Sequence, residues 1–186
     1  VDKDIQQAVE VLRQGGTILY PTDTIWGIGC DATDEKAVRR VYKIKKREDK
    51  EGMLVLLDSK NLLPAYVEVP DIAWELIEVA EHPLTIIYPG ARNLAPSLFG
   101  SDGSVGIRIV RDSFCKRLIE QYKKPVVSTS ANISGTVSPG TYAEISREIV
   151  NSVDYVVKYR QEDMTKTRPS GIIKLGLNGE VQVVRK

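Results

Sequence analysis

A single α/β domain, built on a twisted mixed sheet flanked by helices, is the fold this sequence predicts, on three observations. Apolar runs of strand length, such as Thr17–Tyr20, Met53–Leu57 and Leu84–Tyr88, alternate with segments whose apolar residues recur at helical spacing. Asn178-Gly179, set between Gly171–Leu175 and Glu180–Val184, is a strong hairpin signal. A chain of 186 residues with 42% hydrophobic content can also bury one sizeable core without dividing into two domains. Roughly eight strands and about five helices are expected over residues 1–186.

Taken in order, Asp4–Gln14 carries Ile5, Ala8, Val9 and Leu12 on one helical face and stops at Gly15-Gly16, where a helix end favours glycine. Thr17–Tyr20 is β-branched or large, as a buried strand should be. Pro21 ends its ladder, so Thr22, Asp23 and Thr24 emerge at a strand end, followed by Trp26, Gly27 and Gly29. That stretch reads equally as a small-molecule site and as a polar turn, with Asp23 bracing it. Asp34 can cap a helix with Ala37, Val41 and Ile44 inward and Arg39, Arg40, Lys43 and Lys46 on its other faces. The cations of Lys45, Arg47 and Lys50 beyond it either serve the helix C-terminus or, held near a strand by Gly52, bind an anion.

Asp58–Lys60 is a polar turn, and Pro70-Asp71 starts a helix expected to turn Ile72, Leu76, Ile77 and Val79 inward, with Trp74 in the core or at its rim. Thr85 is the one hydroxyl of the strand Leu84–Tyr88. Pro89–Gly103 is a loop long enough to be a flap or rim over a site. In Ser104–Val110 the apolar Val105, Ile107 and Ile109 alternate with Gly106 and Arg108. Arg108 therefore needs a partner, either an internal carboxylate or an anionic ligand held bidentately. Asp112 opens a helix through Tyr122. Val126-Val127 then turns into Ser128–Gly135, small hydroxyl and amide groups that suit phosphate oxygens or make an ordinary turn. After Ser138-Pro139-Gly140, Thr141 and Glu144 have capping-box spacing for a helix ending near Val150, and Val153–Lys158 alternates as a strand.

Composition excludes several classes. The formal charge of +1, from 26 basic and 25 acidic residues, exerts no global pull on nucleic acid or membrane. Cys30 and Cys115 lie far apart with no CxxC spacing, which suits reduced thiols in the cytoplasm, and one histidine, His82, rules out a histidine cage for a metal. No apolar run reaches the ~20 residues of a membrane span, and no secretory signal opens the chain.

Several of these pieces together carry a resemblance. PTDTIWGIG at 21–29, Lys45 with Arg47, Pro83-Leu84-Thr85, Val105-Gly106-Ile107-Arg108, and Ser128–Gly135 with Ser138 resemble, in order and spacing, the YrdC/Sua5 family of threonylcarbamoyl-adenylate synthases. The similarity runs from about Ile5 to Val184. It implies a YrdC-like domain with a concave substrate channel. It also implies a nucleotidyltransferase that joins L-threonine, bicarbonate or CO2, and ATP into threonylcarbamoyl-AMP with release of pyrophosphate. Partner proteins then pass the threonylcarbamoyl group to an adenosine of tRNAs that read ANN codons. By the same resemblance, Lys45, Arg47, Ser130 and Asn132 hold the phosphates and the reacting carbamate. Thr24, Arg108 and Ser170 orient threonine, Thr85 and Ser138 touch the nucleotide, and Mg2+ comes with the ATP phosphates rather than in a carboxylate cage.

The chain departs from the family pattern around one loop. Trp26 replaces the usual Tyr, Lys46 stands where Gly often separates the Lys and Arg, Glu48 replaces a Pro, and Gly52-Met53 replaces a Pro-Leu pair. Only Ser170 of the family's Ser-Thr pair is present. Two other functions are expected to be separable by assay. An RNA-binding module would use the seven Lys or Arg of residues 39–50, but no aromatic platform is interleaved there; weak tRNA contact is its lesser form. Carbamoyl or adenylyl transfer to a different small acceptor is the third reading, disfavoured because the companion acylphosphatase-like and zinc-finger segments of such relatives are absent from this sequence.

Overall fold

A computed structural model of the chain describes residues 1–47 and 53–186. Five α-helices and nine strands are found among them: α1 (Asp2–Arg13), β1 (Ile18–Tyr20), β2 (Gly27–Gly29), α2 (Glu35–Lys45), β3 (Leu54–Leu57), α3 (Asp71–Val79), β4 (Leu84–Tyr88), β5 (Val105–Ile109), α4 (Ser113–Tyr122), β6 (Val126–Ser130), α5 (Arg147–Ser152), β7 (Tyr155–Val156), β8 (Gly171–Leu175) and β9 (Val181–Arg185). The strands form one mixed sheet in the order β7-β1-β2-β6-β3-β5-β4-β8-β9. Pairs β1/β7, β3/β5 and β4/β8 run parallel and the others antiparallel. The mixed α/β architecture is the one expected, with one strand more than the count read from sequence.

Local chemistry explains where the helices begin. The Asp34 carboxylate accepts from Lys36 N at 2.9 Å and Ala37 N at 3.2 Å, and Asp112 accepts from Cys115 N at 3.0 Å, so two of the four orphan donors at one helix start and one at the other are satisfied. The sheet pairs β1 tightly to β2 because Gly29 has no side chain. A Cβ there would stand 2.6 Å from Tyr20 Cε1 and 2.7 Å from the Val127 carbonyl. The core spans the length of the sheet, from Ile5, Leu12 and Leu118 near α1 and α4 to Ile86 and Ile107 beneath α3.

Three expectations fail. α3 buries only Ala73 fully, while Ile72 is exposed and Val79 is 69% exposed. Of the four residues expected inward only Leu76 and Ile77 pack against the core, together with Trp74 at its rim, because a nine-residue helix whose apolar residues wrap most of its circumference cannot present all of them to one surface. Thr141 makes no side-chain cap; it precedes a short 3-10 turn at Tyr142–Glu144, and Ser146 caps α5 instead. Glu144 reaches back to Gly140 N at 2.7 Å, so the motif organises a turn rather than a helix. The segment 89–103 is no flap. Ala95 N bonds Ala32 O at 2.8 Å and Tyr42 Oη donates to Ser97 O at 2.8 Å, which straps the segment onto α2 through its buried Leu94, Ala95 and Leu98.

Candidate functional site

Strand register builds the site. Directly paired residues share a sheet face, and the pairings Arg185–Ile172, Ile172–Thr85, Thr85–Arg108 and Arg108–Leu56 make one row across β9, β8, β4, β5 and β3. Gly106, Leu54 and Ser128 make the next row, and Ser130, two residues further along β6 and paired with Gly27 of β2, lies on the same face. The face opposite carries Ile86 and Ile107 and packs into the core. On the first face lies a cleft of about 250 Å³. Its lining includes Thr24, Trp26, Arg47, Arg108, Ser128, Ser130, Ser138, Ser170 and Arg185, with Met53, Leu54 and Ile172 as apolar walls. The volume lies just under the ~300 Å³ lower end of small-molecule sites, and the lining suits a small, anionic, hydroxyl-bearing ligand.

Six of the candidates named from sequence therefore line one cleft: Thr24, Arg47, Arg108, Ser130, Ser138 and Ser170. The other three stand behind it. Lys45 is 2% exposed and donates to Ser130 O at 2.6 Å, Asn132 O at 2.9 Å, Asn132 Oδ1 at 3.2 Å and Ser130 Oγ at 3.3 Å. Burial, and then the charge of Arg47, lower its pKa to about 8, while the four oxygens around it favour the charged form. Asn132 spends its amide on Thr136 O at 2.7 Å and on Lys45, so it shapes the turn after β6 instead of facing the cleft. Ser134 N bonds Lys45 O at 2.9 Å and completes this clamp. Thr85 is fully buried, and its hydroxyl shares a 2.8 Å hydrogen bond with Ser170. Its direct partner is thus Ser170, where contact with a nucleotide was expected.

Thr24 has a defined polarity. Thr22 Oγ1 donates to Ile25 O at 2.7 Å and accepts from Thr24 N at 3.0 Å, so its 3.1 Å contact with Thr24 Oγ1 must use the Thr24 proton. Thr24 then meets the cleft as an acceptor. Gly27 lies where a Cβ would come within 2.9 Å of Ser128 Oγ, so the glycine keeps that hydroxyl in place on the cleft face. Trp26, 6% exposed, forms a wall and leans on Tyr142 with ring centres 5.0 Å apart.

Sequence reading missed three residues of this region. Asp23 does more than brace a turn, since its Oδ1 lies 3.0 Å from Arg108 Nη2 with both side chains buried. Ser128 was seen only as part of a polar string, although its alternation with Ser130 already places the two on one face. Arg185 lines the cleft and donates to Ser170 O at 2.9 Å; burial and then the charge of Arg108 lower its pKa. No local pattern marks Arg185, because only the hairpin register returns it beside Ile172.

The basic stretch is substantially neutralised. Arg39 pairs with Glu35 at 3.0 Å, Arg40 with Asp154 at 2.9 Å and Lys46 with Glu148 at 2.6 Å, which weakens the case for an RNA-binding face. Glu48, Asp49, Lys50 and Gly52, named from sequence, lie outside the described residues. Among the described residues no group of three or more His, Cys, Asp or Glu could hold a metal ion, and no helix is long and apolar enough to cross a membrane.

A family model described as telomere recombination, that of Sua5, YciO and YrdC, matches residues 10–186. A threonylcarbamoyl-AMP synthase of Pseudoalteromonas translucida is 32% identical over 181 residues, covering 95% of each chain. Among solved structures, E. coli YciO is 25% identical with a TM-score of 0.86 over 100% of this chain and 90% of its own. P. abyssi Sua5 complexed with L-threonine is 27% identical with a TM-score of 0.81; the match covers 92% of this chain and 50% of that one, so the present chain spans about half its length.

Proposed function

Because the chain belongs to the Sua5–YciO–YrdC family, we propose that it synthesises L-threonylcarbamoyl-AMP from L-threonine, bicarbonate or CO2, and ATP, releasing pyrophosphate. The observation that carries this reading is one cleft lined by Arg47, Arg108 and Arg185 together with the hydroxyls of Thr24, Ser128, Ser130, Ser138 and Ser170. The reaction needs that set. The threonine amine adds to CO2 with loss of a proton, one carbamate oxygen attacks the α-phosphorus, and the bond to the β-phosphate breaks as pyrophosphate departs. No step needs a covalent enzyme intermediate. What lowers the barrier is the gathering of several negative charges by fixed cations and donors in one orientation.

In this reading Arg108 and Ser170 hold the amino-acid carboxylate, and Thr24, which offers only an acceptor, takes a hydrogen bond from the amine before it reacts. Thr85 sets the Ser170 hydroxyl. Arg47, Ser130 and Ser138 meet the phosphates and nucleotide, with Lys45 and Asn132 shaping the turn that carries Ser130. At the phosphates met by Arg47, Ser130 and Ser138, Mg2+ brought with ATP would supply charge neutralisation. The product passes in the cytoplasm to partner proteins that place the threonylcarbamoyl group on tRNA.

The deciding experiment is pyrophosphate release from ATP with bicarbonate, scanned across amino acids. Threonine should stimulate it above the others, and no stimulation by threonine defeats the proposal. Arg47→Ala should lower that rate by ~10²–10³, the usual cost of one such donor, while circular dichroism stays that of the folded protein. Wild-type turnover in that variant would remove Arg47 from the site.

A further inference from the structure

Asp23 is an anomaly among the buried carboxylates. Asp4 accepts from Tyr155 Oη at 2.6 Å and from Lys158 N and Tyr159 N. Asp31 accepts from Thr33 N and Oγ1 at 2.8 and 2.6 Å. Asp23 is as buried, with 6% of its side chain exposed, yet neither oxygen has a hydrogen-bond partner among the described residues. Its ion-pair partner is Arg108 Nη2 at 3.0 Å, and Arg108 Nε and Nη2 are likewise buried without hydrogen-bond partners among the described residues. The two groups touch as charges without N–H bonds aimed at the oxygens. Such a pair is costly to bury and adds little to stability, so its value has to lie in what it does to Arg108.

The surrounding charge shows what that is. Arg108, Arg185 and Arg47 line the same cleft, and Arg108 and Arg185 are close enough to repel. Asp23 does not line the cleft; it stands behind the guanidinium. A bare Arg108 would attract the most highly charged anion available, which in a cleft that also takes ATP is a phosphate chain.

We propose that Asp23 is a positioning and specificity residue acting through Arg108: it offsets the guanidinium charge from behind and holds the group in place through their 3.0 Å ion pair, so that Arg108 takes a single carboxylate and not the polyphosphate sharing the cleft. This rests on the function proposed above for the same cleft. The test uses Asp23→Asn, Arg108→Gln, the double variant and Asp23→Glu, with binding of L-threonine and of inorganic pyrophosphate measured by calorimetry and thermal unfolding followed in parallel. Asp23→Asn should weaken threonine about 10- to 100-fold, the weight of one hydrogen-bonded charge contact, tighten pyrophosphate, and make pyrophosphate compete with threonine. Arg108→Gln should weaken threonine without the gain in pyrophosphate, and the double variant should be no worse than Arg108→Gln alone. Asp23→Glu, which keeps the charge, should still exclude pyrophosphate, and it remains informative where Asp23→Asn unfolds. Unchanged threonine binding in Asp23→Asn, unchanged pyrophosphate binding, or additive effects in the double variant would overturn the inference. A wild-type protein that binds no threonine would instead refute the proposed function, and the pyrophosphate comparison between wild type and Asp23→Asn would still decide the role of Asp23.

Discussion

Lys45 makes a prediction in which stability and activity move in opposite directions with pH. Its pKa falls from 10.5 to about 8 in the folded chain, a difference corresponding to about 3 kcal/mol. Between those values the unfolded chain binds the proton and the folded one does not, so this group's contribution to stability rises with pH across that window. Below about 8 the penalty is present in full. Activity should run the other way, because the ammonium turns three N–H donors to the oxygens of Ser130 and Asn132 at 2.6–3.3 Å, whereas the neutral amine has two and turns a lone pair on that ring of acceptors. One pH unit above its pKa about a tenth of Lys45 remains charged. Lys45→Arg keeps a cation that does not titrate, so the ratio of wild-type to Lys45→Arg turnover isolates this group from the titration of the substrate amine. That ratio should be flat below pH 8 and fall toward tenfold per unit above it. Lys45→Met leaves two main-chain carbonyls without their donor, about 1–3 kcal/mol each, but relieves the burial of a charge. Its stability should therefore shift by no more than about 3 kcal/mol while turnover drops ~10²–10³ as the Ser130 turn loses its anchor. A ratio that stays flat to pH 9.5, or a Lys45→Met enzyme with normal turnover, would refute the reasoning.

Two further outcomes follow from the scaffold. Gly29→Ala drives a methyl into Tyr20 and the Val127 carbonyl, which are themselves joined by a 2.9 Å hydrogen bond, so it should cost about 1–3 kcal/mol as a lower denaturation midpoint; an unchanged midpoint would show that β1 can yield. Acid should unfold the protein partly through Asp4 and Asp31. Burial pushes both carboxyls up, but hydrogen bonds, led by Tyr155 on Asp4 and Thr33 on Asp31, hold both below 3.8. Their stabilisation is present above that value and lost as pH falls through the lower folded values, so Asp4→Asn should flatten the stability curve below about pH 4, measured by urea denaturation; an identical slope would count against this assignment.

The departures around Lys45 gain a partial explanation. Lys46 adopts the left-handed conformation at φ 52° that ends α2, which is why a glycine suits this position, and it costs a lysine about 1–2 kcal/mol. Its bridge to Glu148 offsets part of that. The replacements at Glu48 and Gly52 fall outside the described residues.

Features that depend on neighbours along the chain were readable before any fold was known. The α1, α2 and α4 faces, the Asp34 and Asp112 caps, the Asn178-Gly179 hairpin and the strand-end cluster after Pro21 are set by periodicity and by side chains reaching their own backbone. The six candidates that line the cleft were named through the family resemblance, since read alone their stretches served equally as a turn, a helix end or an internal ion pair. Tertiary structure alone decided which polar groups face a ligand and which hold the ones that do. Lys45, Asn132 and Thr85 resemble ligand-binding residues in sequence, yet each is drawn behind the cleft by a partner 85 or 87 positions away or by a tight turn. Asp23 meets Arg108, and Arg185 returns to Ser170, only because β-sheet register aligns distant strands. The physical reason is that burial and charge pairing depend on what lies across the sheet, and the order of strands in that sheet is a long-range property that no window of sequence contains.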